Sequence, residues 1–224
     1  MPFDREIASR IVEVGRLLYQ RKLISATEGN ISVRLESNQV MLTPSGFPKG
    51  RMRAEDLVIV DTAGRRIEGI NPASSELAMH LHVYRLRPEI NACVHSHAPY
   101  ATSFAVAGVD LTCDLLPEIV LSVGAIALTE YAPPGTDAVG ASLDPFLGES
   151  NAFLLRNHGL LTVGRNLEQA FYRHETVEHY ARIVHLARQL GNVNAIPADD
   201  FKRLEQMRDS MERIDDHEKR GSKQ

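Results

Sequence analysis

The 224-residue chain carries 43% hydrophobic and 24% charged side chains, a balance that supports a packed core and excludes wholesale disorder, collagen-like repeats and a small disulfide scaffold. Lys+Arg number 25 against Asp+Glu 29, a formal net charge of −4, which leaves no basic surplus to track a nucleic-acid backbone by counterion release. The two cysteines, Cys93 and Cys113, form no CxxC, so they read as reduced thiols, and any bound metal must rest on nitrogen and oxygen ligands. No signal-peptide pattern opens the chain. Its longest strongly apolar stretch, residues 119–129, falls far short of the roughly 18–20 residues that cross a bilayer. The expectation is a cytoplasmic protein with neither membrane nor nucleic acid as partner.

Ile7, Ile11, Val14 and Leu18 recur at spacings of four, three and four and predict a first helix running to about Lys22. Between Ile31 and Ile67 the pattern shifts to short apolar runs split by turn residues. Ile31-Ser32-Val33, Val40-Met41-Leu42 and Leu57-Val58-Ile59-Val60 read as strands. Pro72 and Ser74 open a second helix carrying Leu77, Leu81 and Tyr84, and Pro88 stops it. A strand over 92–95 follows, Pro99 starts a short helix, and residues 111–128 hold two more apolar runs parted by Ser122 and Gly124. Strands over 152–155 and 160–163 flank a tight Asn157-His158-Gly159 turn. A long helix then runs from Leu167 to a stop at Gly191. A last amphipathic helix begins near Asp199, with Phe201, Leu204, Met207, Met211 and Ile214 on one side. No linker or repeat interrupts this order, so the expectation is one α/β domain over 1–216 with a central mixed sheet, and a charged, disordered tail over 217–224.

His95-Ser96-His97 stands where a predicted strand ends. Residues two apart in an extended chain share a face, so both imidazoles can meet one metal ion. His158, in Arg156-Asn157-His158-Gly159, is the candidate third ligand, because the glycine permits a sharp turn that aims the ring inward. Three imidazoles leave a fourth position open, the pattern of a catalytic rather than a structural zinc site. Glu76, at the start of the second helix, can complete the set or act as a base; an acid there also simply complements the helix dipole. Other histidine pairs fail on geometry. His80 and His82 are two apart on a helix and point about 200° apart, while His174 and His179 are five apart and leave a shared face.

Three polar segments form a second constellation: Thr27-Glu28-Gly29-Asn30, Thr43-Pro44-Ser45-Gly46 and Asn71-Pro72-Ala73-Ser74-Ser75. Gly29 and Gly46 let backbone N–H groups approach a ligand, and Ser74 and Ser75 sit at a helix start that favours an anion. A phosphate suits such a pocket, although ordinary turns share this composition. Neither a dinucleotide-binding fingerprint nor a Walker sequence is present.

Taken in order, five segments resemble the motifs of the class II aldolase/adducin family, particularly its bacterial L-fuculose-phosphate aldolase branch. They are Glu28-Gly29-Asn30-Ile31-Ser32, Leu42-Thr43-Pro44-Ser45-Gly46, Pro72-Ala73-Ser74-Ser75-Glu76, Val94-His95-Ser96-His97-Ala98 and Asn157-His158-Gly159-Leu160. The resemblance spans the chain from the first helix to the long helix ending near Gly191. It implies a central mixed, mainly antiparallel β-sheet flanked by helices on both sides, assembled as a cyclic homotetramer with active sites at subunit interfaces. It also implies one Zn²⁺ per subunit on His95, His97 and His158, with Glu76 as a metal-proximal acid/base. Asn30, Ser45, Gly46, Ser74 and Ser75 would hold a sugar phosphate. The implied reaction cleaves the C3–C4 bond of a ketose 1-phosphate to dihydroxyacetone phosphate and a short aldehyde, with zinc stabilising the enediolate and Glu76 shuttling its proton.

The chain departs from the fuculose-phosphate aldolase pattern in its tyrosines. One from a neighbouring subunit is expected near Leu115-Leu116-Pro117-Glu118 and another near the C-terminus, yet the first segment has none and none follows Tyr180. Glu118, ionisable within the apolar run 115–123, is the candidate for the aldehyde-side proton if burial raises its pKa; the alternative is a solvated loop acid. Deoxyketose phosphates such as 5-deoxyribulose 1-phosphate therefore stand beside L-fuculose 1-phosphate as candidate substrates. Phosphopentulose 4-epimerases, dehydratases and decarboxylases share the scaffold. An adducin-like interaction module is the alternative of another class, and retention of the three histidines and Glu76 argues against it.

Overall fold

The computed structural model describes residues 4–35 and 37–221, with side chains to Met211. Helix α1 (Arg5–Gln20) starts at Asp4, whose carboxylate accepts the otherwise free amides of Glu6 and Ile7 at 3.1 and 3.0 Å, a cap worth about 1 kcal/mol. It ends two residues before the expected Lys22, which adopts a φ of 60°. Strands β1 (Asn30–Arg34), β2 (Val40–Leu42), β3 (Val58–Val60) and β4 (Arg66–Glu68) form an antiparallel meander. Helix α2 (Leu77–Leu86) leads to β5 (Ala92–Ser96), and α3 (Pro99–Ala107) and α4 (Pro117–Ser122) lead to β6 (Ala125–Leu128). Then α5 (Asp137–Ala141) precedes the hairpin of β7 (Ser150–Leu155) and β8 (Gly159–Gly164), and α6 (Leu167–Leu190) and α7 (Ala198–Gly221) close the chain. All eight strands join one sheet in the order β4-β3-β2-β1-β5-β8-β7-β6, antiparallel at every pair except β6–β7.

Alternation along the strands sorts the helices into two layers. Ala92 and Val94 of β5 face a core shared with Ile11 and Leu18 of α1 and Phe171 of α6, while Cys93 faces Met79 and Val83 of α2 and Val139 near the sheet's other side. Farther along, Ala152, Leu154 and Leu160 pack on Phe104 of α3, Ile119 of α4 and Tyr180 of α6. The strongly apolar stretch 119–129 is thus split between a helix that buries Ile119 and Val120 and a strand that buries Ala127. The edge strand β4 carries no apolar run and is exposed throughout, which is why hydrophobic patterning misses it; its charges also protect an open edge. On α7, Phe201 and Leu204 are half-buried, whereas Met207 and Met211 are 53% and 56% exposed; Ile214 lies outside the described side chains. The boundary expected at 216 falls inside α7, whose backbone is helical to Gly221, and residues 222–224 lie outside the described residues. Among the described residues no helix is long and apolar enough to cross a membrane.

Candidate active site

Strand register assembles the site. Because β5 runs antiparallel to both β1 and β8, its C-terminal end meets their beginnings: His95 pairs with Asn30 on one side and Leu161 on the other. His97 follows at the exit of β5, and His158 returns from the turn between β7 and β8. The three ring centroids lie 5.4, 4.7 and 5.2 Å apart, and one nitrogen from each falls within 4.8 Å of the others. No other group of His, Cys, Asp and Glu side chains among the described residues has this geometry. His174, from the rejected pair, is fully buried while His179 is exposed.

The turn carrying His158 works differently from the expectation. The positive φ, 55°, sits on Asn157, and the His158 N–H closes the turn on the Leu155 carbonyl at 2.9 Å. Gly159 is required for space instead. A Cβ there would stand 2.6 Å from the Ser96 carbonyl oxygen and 2.9 and 3.1 Å from the His97 and His95 rings.

Two imidazoles are oriented through their outer nitrogens. His95 Nδ1 lies 3.0 Å from the Leu160 carbonyl oxygen; a carbonyl only accepts, so Nδ1 carries the proton. His97 Nδ1 donates to Glu28 Oε2 at 2.8 Å. Both Nε2 atoms are left as bare acceptors, and both are buried without a hydrogen-bond partner. A buried acceptor with no partner costs free energy, and one cation held between the rings satisfies them together. A carboxylate behind a ligating imidazole also fixes the tautomer and raises ligand basicity. The residues present therefore fit a divalent cation.

Glu76 closes the cluster from the N-terminus of α2. Its Oε2 accepts from Asn30 Nδ2 at 2.7 Å and stands 3.3 Å from His95 Nε2, while Oε1 is 2.8 Å from His158 Nε2. The His158 contact lacks hydrogen-bond alignment, so Oε1 has no hydrogen-bond partner. Burial pushes this carboxyl up, but the positive charge of protonated His95 and His158, which a bound cation would supply in their place, outweighs burial and holds it well below the usual carboxylate range. The side chain caps no amide of α2, so it faces the histidines rather than serving its own helix.

Asn30, Ser45, Gly46, Ser74 and Ser75 line one cavity of about 650 Å³ together with Glu76, His97 and His158; His95, fully buried, lies beneath it. The two loops that carry the serines are held side by side by the Ser45 N–H on the Pro72 carbonyl at 3.0 Å and a Pro44–Ala73 bridge. Ser74 Oγ accepts the Glu76 N–H at 3.3 Å. Glu118 is elsewhere. It is exposed on the first turn of α4, the solvated alternative of the two the sequence left open: Ile119 and Val120 take the inward positions.

Three contributors were given no role of their own by sequence reasoning. Glu28 lay inside a segment already singled out, and its signal was an acid beside a glycine turn. Lys49, only 3% exposed, lines the cavity and donates from Nζ to the Thr27 carbonyl at 2.6 Å. Burial pushes its amine down to about 8, against the upward pull of Glu76 and Glu28; nothing local in the sequence marks it. Under the strand end, His174 joins Ser96 Oγ at 2.6 Å and Thr162 Oγ1 at 3.0 Å, and its signal was a polar residue between Phe171 and Val177 on an apolar helix face.

Known proteins share both the fold and the sequence. The model of the class II aldolase and adducin N-terminal domain matches residues 9–185. An L-fuculose phosphate aldolase of Methanococcus vannielii is 34% identical over 176 residues, 78% of this chain and 93% of that protein. A 3-oxo-tetronate 4-phosphate decarboxylase of Pectobacterium atrosepticum is 32% identical over 208 residues, 90% of this chain and 93% of that protein. The solved structure of an L-fuculose 1-phosphate aldolase superposes with a TM-score of 0.84 at 30% identity, covering 91% of this chain and 96% of its own. With sequence, sheet order and site geometry in agreement, the chain belongs to the class II aldolase and adducin family and is an enzyme of the carbon–carbon lyase kind.

Proposed function

We propose that the protein is a zinc-dependent aldolase that cleaves a ketose 1-phosphate, L-fuculose 1-phosphate or a related deoxyketose phosphate, into dihydroxyacetone phosphate and a short aldehyde. The observation that carries this reading is the convergence, at one cavity of about 650 Å³, of His97 and His158 in its wall with His95 buried beside them, an anionic Glu76 and a set of neutral hydrogen-bond donors. Three imidazole donors suit Zn²⁺ with a position left for substrate. A cation there supplies positive charge to the substrate oxygens that gain electron density as the carbon–carbon bond breaks.

The chain's own residues do the rest. Asn30, Ser45, Gly46, Ser74 and Ser75 hold the phosphate and so fix which carbon faces Glu76. As C3–C4 breaks, the C4 hydroxyl gives its proton to a base, for which Glu118 of a neighbouring subunit is the candidate, C4 leaves as the aldehyde carbon, the electron pair stays with C3, and Glu76, anionic at rest, passes to C3 a proton it has taken up from solvent. A second cavity of about 960 Å³ shares Glu28, His97, Thr102 and Val106 with the first and is walled further by Leu23 and Ile24; its apolar wall suits a short deoxy aldehyde. The subunits form a homotetramer with interfacial sites on this reading, and Glu118, exposed on its own chain, is available to a neighbour's site. Glu118→Gln is expected to lower turnover with metal content unchanged; unchanged turnover removes Glu118 from the mechanism.

The decarboxylase relative and the missing tyrosines support a second reading, in which a 3-oxo acid phosphate loses CO₂ and leaves the same kind of electron pair. Metal-loaded protein assayed on ketose 1-phosphates and on 3-oxo-tetronate 4-phosphate separates the two. Release of a free aldehyde is the expected result, and release of CO₂ alone moves the assignment to the decarboxylase.

A further inference from the structure

The phosphate contacts proposed above are neutral: an amide, hydroxyls and backbone N–H groups. Glu28 and Glu76 meanwhile bring two carboxylates to the same cavity. A divalent cation on the histidines cancels those two charges and no more, so a phosphate dianion would enter a site with no positive charge to spare. Lys49 is the one Lys or Arg side chain among the residues lining the cavity.

Its placement is built into the fold. Residues 49–51 form a 3-10 turn directly after the Thr43-Pro44-Ser45-Gly46 loop. The turn is seated on α1 at Gly15, where an added Cβ would meet the Lys49 carbonyl oxygen at 3.0 Å and its Cβ at 3.3 Å. With its backbone fixed there, the side chain runs inward to the Thr27 carbonyl. Among the described residues it makes no ion pair, so a buried ammonium is held at the cavity wall by one neutral hydrogen bond. Burying a charge is unfavourable, and burial outweighs the upward pull of Glu76 and Glu28 and pushes this amine down to about 8, which still leaves it protonated at neutral pH. A buried ammonium beside an anion pocket is stabilised when the anion arrives, through a charge-assisted contact.

We infer that Lys49 is the specificity-determining cation of this site, supplying the positive charge that selects a phosphorylated ligand over its neutral counterpart. This inference rests on the sugar-phosphate reading of the cavity, and the experiment separates the two. Zinc-loaded protein is titrated calorimetrically with dihydroxyacetone phosphate, inorganic phosphate and unphosphorylated dihydroxyacetone, using the unaltered chain, Lys49→Gln and Lys49→Arg. Gln keeps a donor toward the Thr27 carbonyl and removes the charge; Arg keeps the charge. Lys49→Gln is expected to weaken dihydroxyacetone phosphate by about tenfold or more, the loss of one charge-assisted hydrogen bond. Its response to dihydroxyacetone and its zinc content should stay unchanged, and Lys49→Arg should recover most of the loss. Equal affinity in Lys49→Gln overturns the inference and leaves the phosphate reading standing, whereas no binding of either phosphate to the unaltered chain overturns that reading itself. An NMR titration of the Lys49 ε-carbon in the unaltered chain is independent of any variant's folding. Glu28, Glu76, His97 and His158 are the other titratable groups of this wall. Saturating dihydroxyacetone phosphate is expected to move the Lys49 midpoint upward, and an unmoved midpoint contradicts the inference.

Discussion

Glu28 never needs to touch a substrate to matter. It stands behind His97 at 2.8 Å and presents that imidazole's Nε2 to the cluster, so its removal should loosen the cation and not the fold. Glu28→Ala is expected to weaken zinc binding by about 10–100-fold, measured by competition with a chromophoric chelator; unchanged affinity would show that His97 is oriented by something else. Glu76 should behave in the opposite way. Glu76→Gln leaves the three imidazoles in place and is expected to lower kcat by roughly 10²–10⁴-fold with zinc still bound, and a variant of full activity would strip Glu76 of its proton-transfer role. These residues differ in how far the sequence exposes them. His95 and His97 are legible because two-residue spacing on a strand is itself geometry. Lys49 is not, because its burial depends on a glycine 34 positions earlier that lets a turn seat on another helix.

At the scale of elements, periodicity shows α1, α2 and α6 because each hides one apolar stripe, and β5 and β8 because both are buried runs. What periodicity cannot show is the pairing between them. The bond from His174 on α6 to Ser96 on β5 joins residues 78 positions apart, and no local pattern records it. It has a consequence for stability. Burial pushes His174 down to about 3, and it does the same to His80 on α2, which shares a 2.6 Å contact with Ser32 Oγ. The unfolded chain takes up these protons near about pH 6.5, while the folded chain refuses them until about pH 3. Stability contributed by the two histidines is therefore full above pH 6.5 and falls as pH drops from there toward 3, by about 1.4 kcal/mol per pH unit for each. Urea unfolding followed from about pH 7 to about pH 5 is expected to show this decline, and a flat profile would mean that both side chains protonate without leaving the folded state.

For the molecule as a whole, the site exists because β5 is the strand on which the two halves of the sheet meet. The meander β1–β4 brings Asn30 to one side of it and the β7–β8 hairpin brings His158 to the other, while α2 lowers Glu76 between them. The candidate site residues were legible as short motifs in chain order, although the register that gathers them was not. Glu118 shows the limit of reading from composition: an acid in an apolar run left burial and a solvated position both open, and a six-residue helix leaves it exposed. The claim that binds these scales is that a cation on His95, His97 and His158 makes this chain a carbon–carbon lyase. It is tested most directly by measuring both products, dihydroxyacetone phosphate and free aldehyde, when metal-stripped and zinc-restored protein meet the same ketose 1-phosphate. The account predicts equal amounts of the two products from the zinc-restored protein and none from the stripped protein. Equal cleavage with and without metal, or loss of substrate without release of an aldehyde, would contradict it.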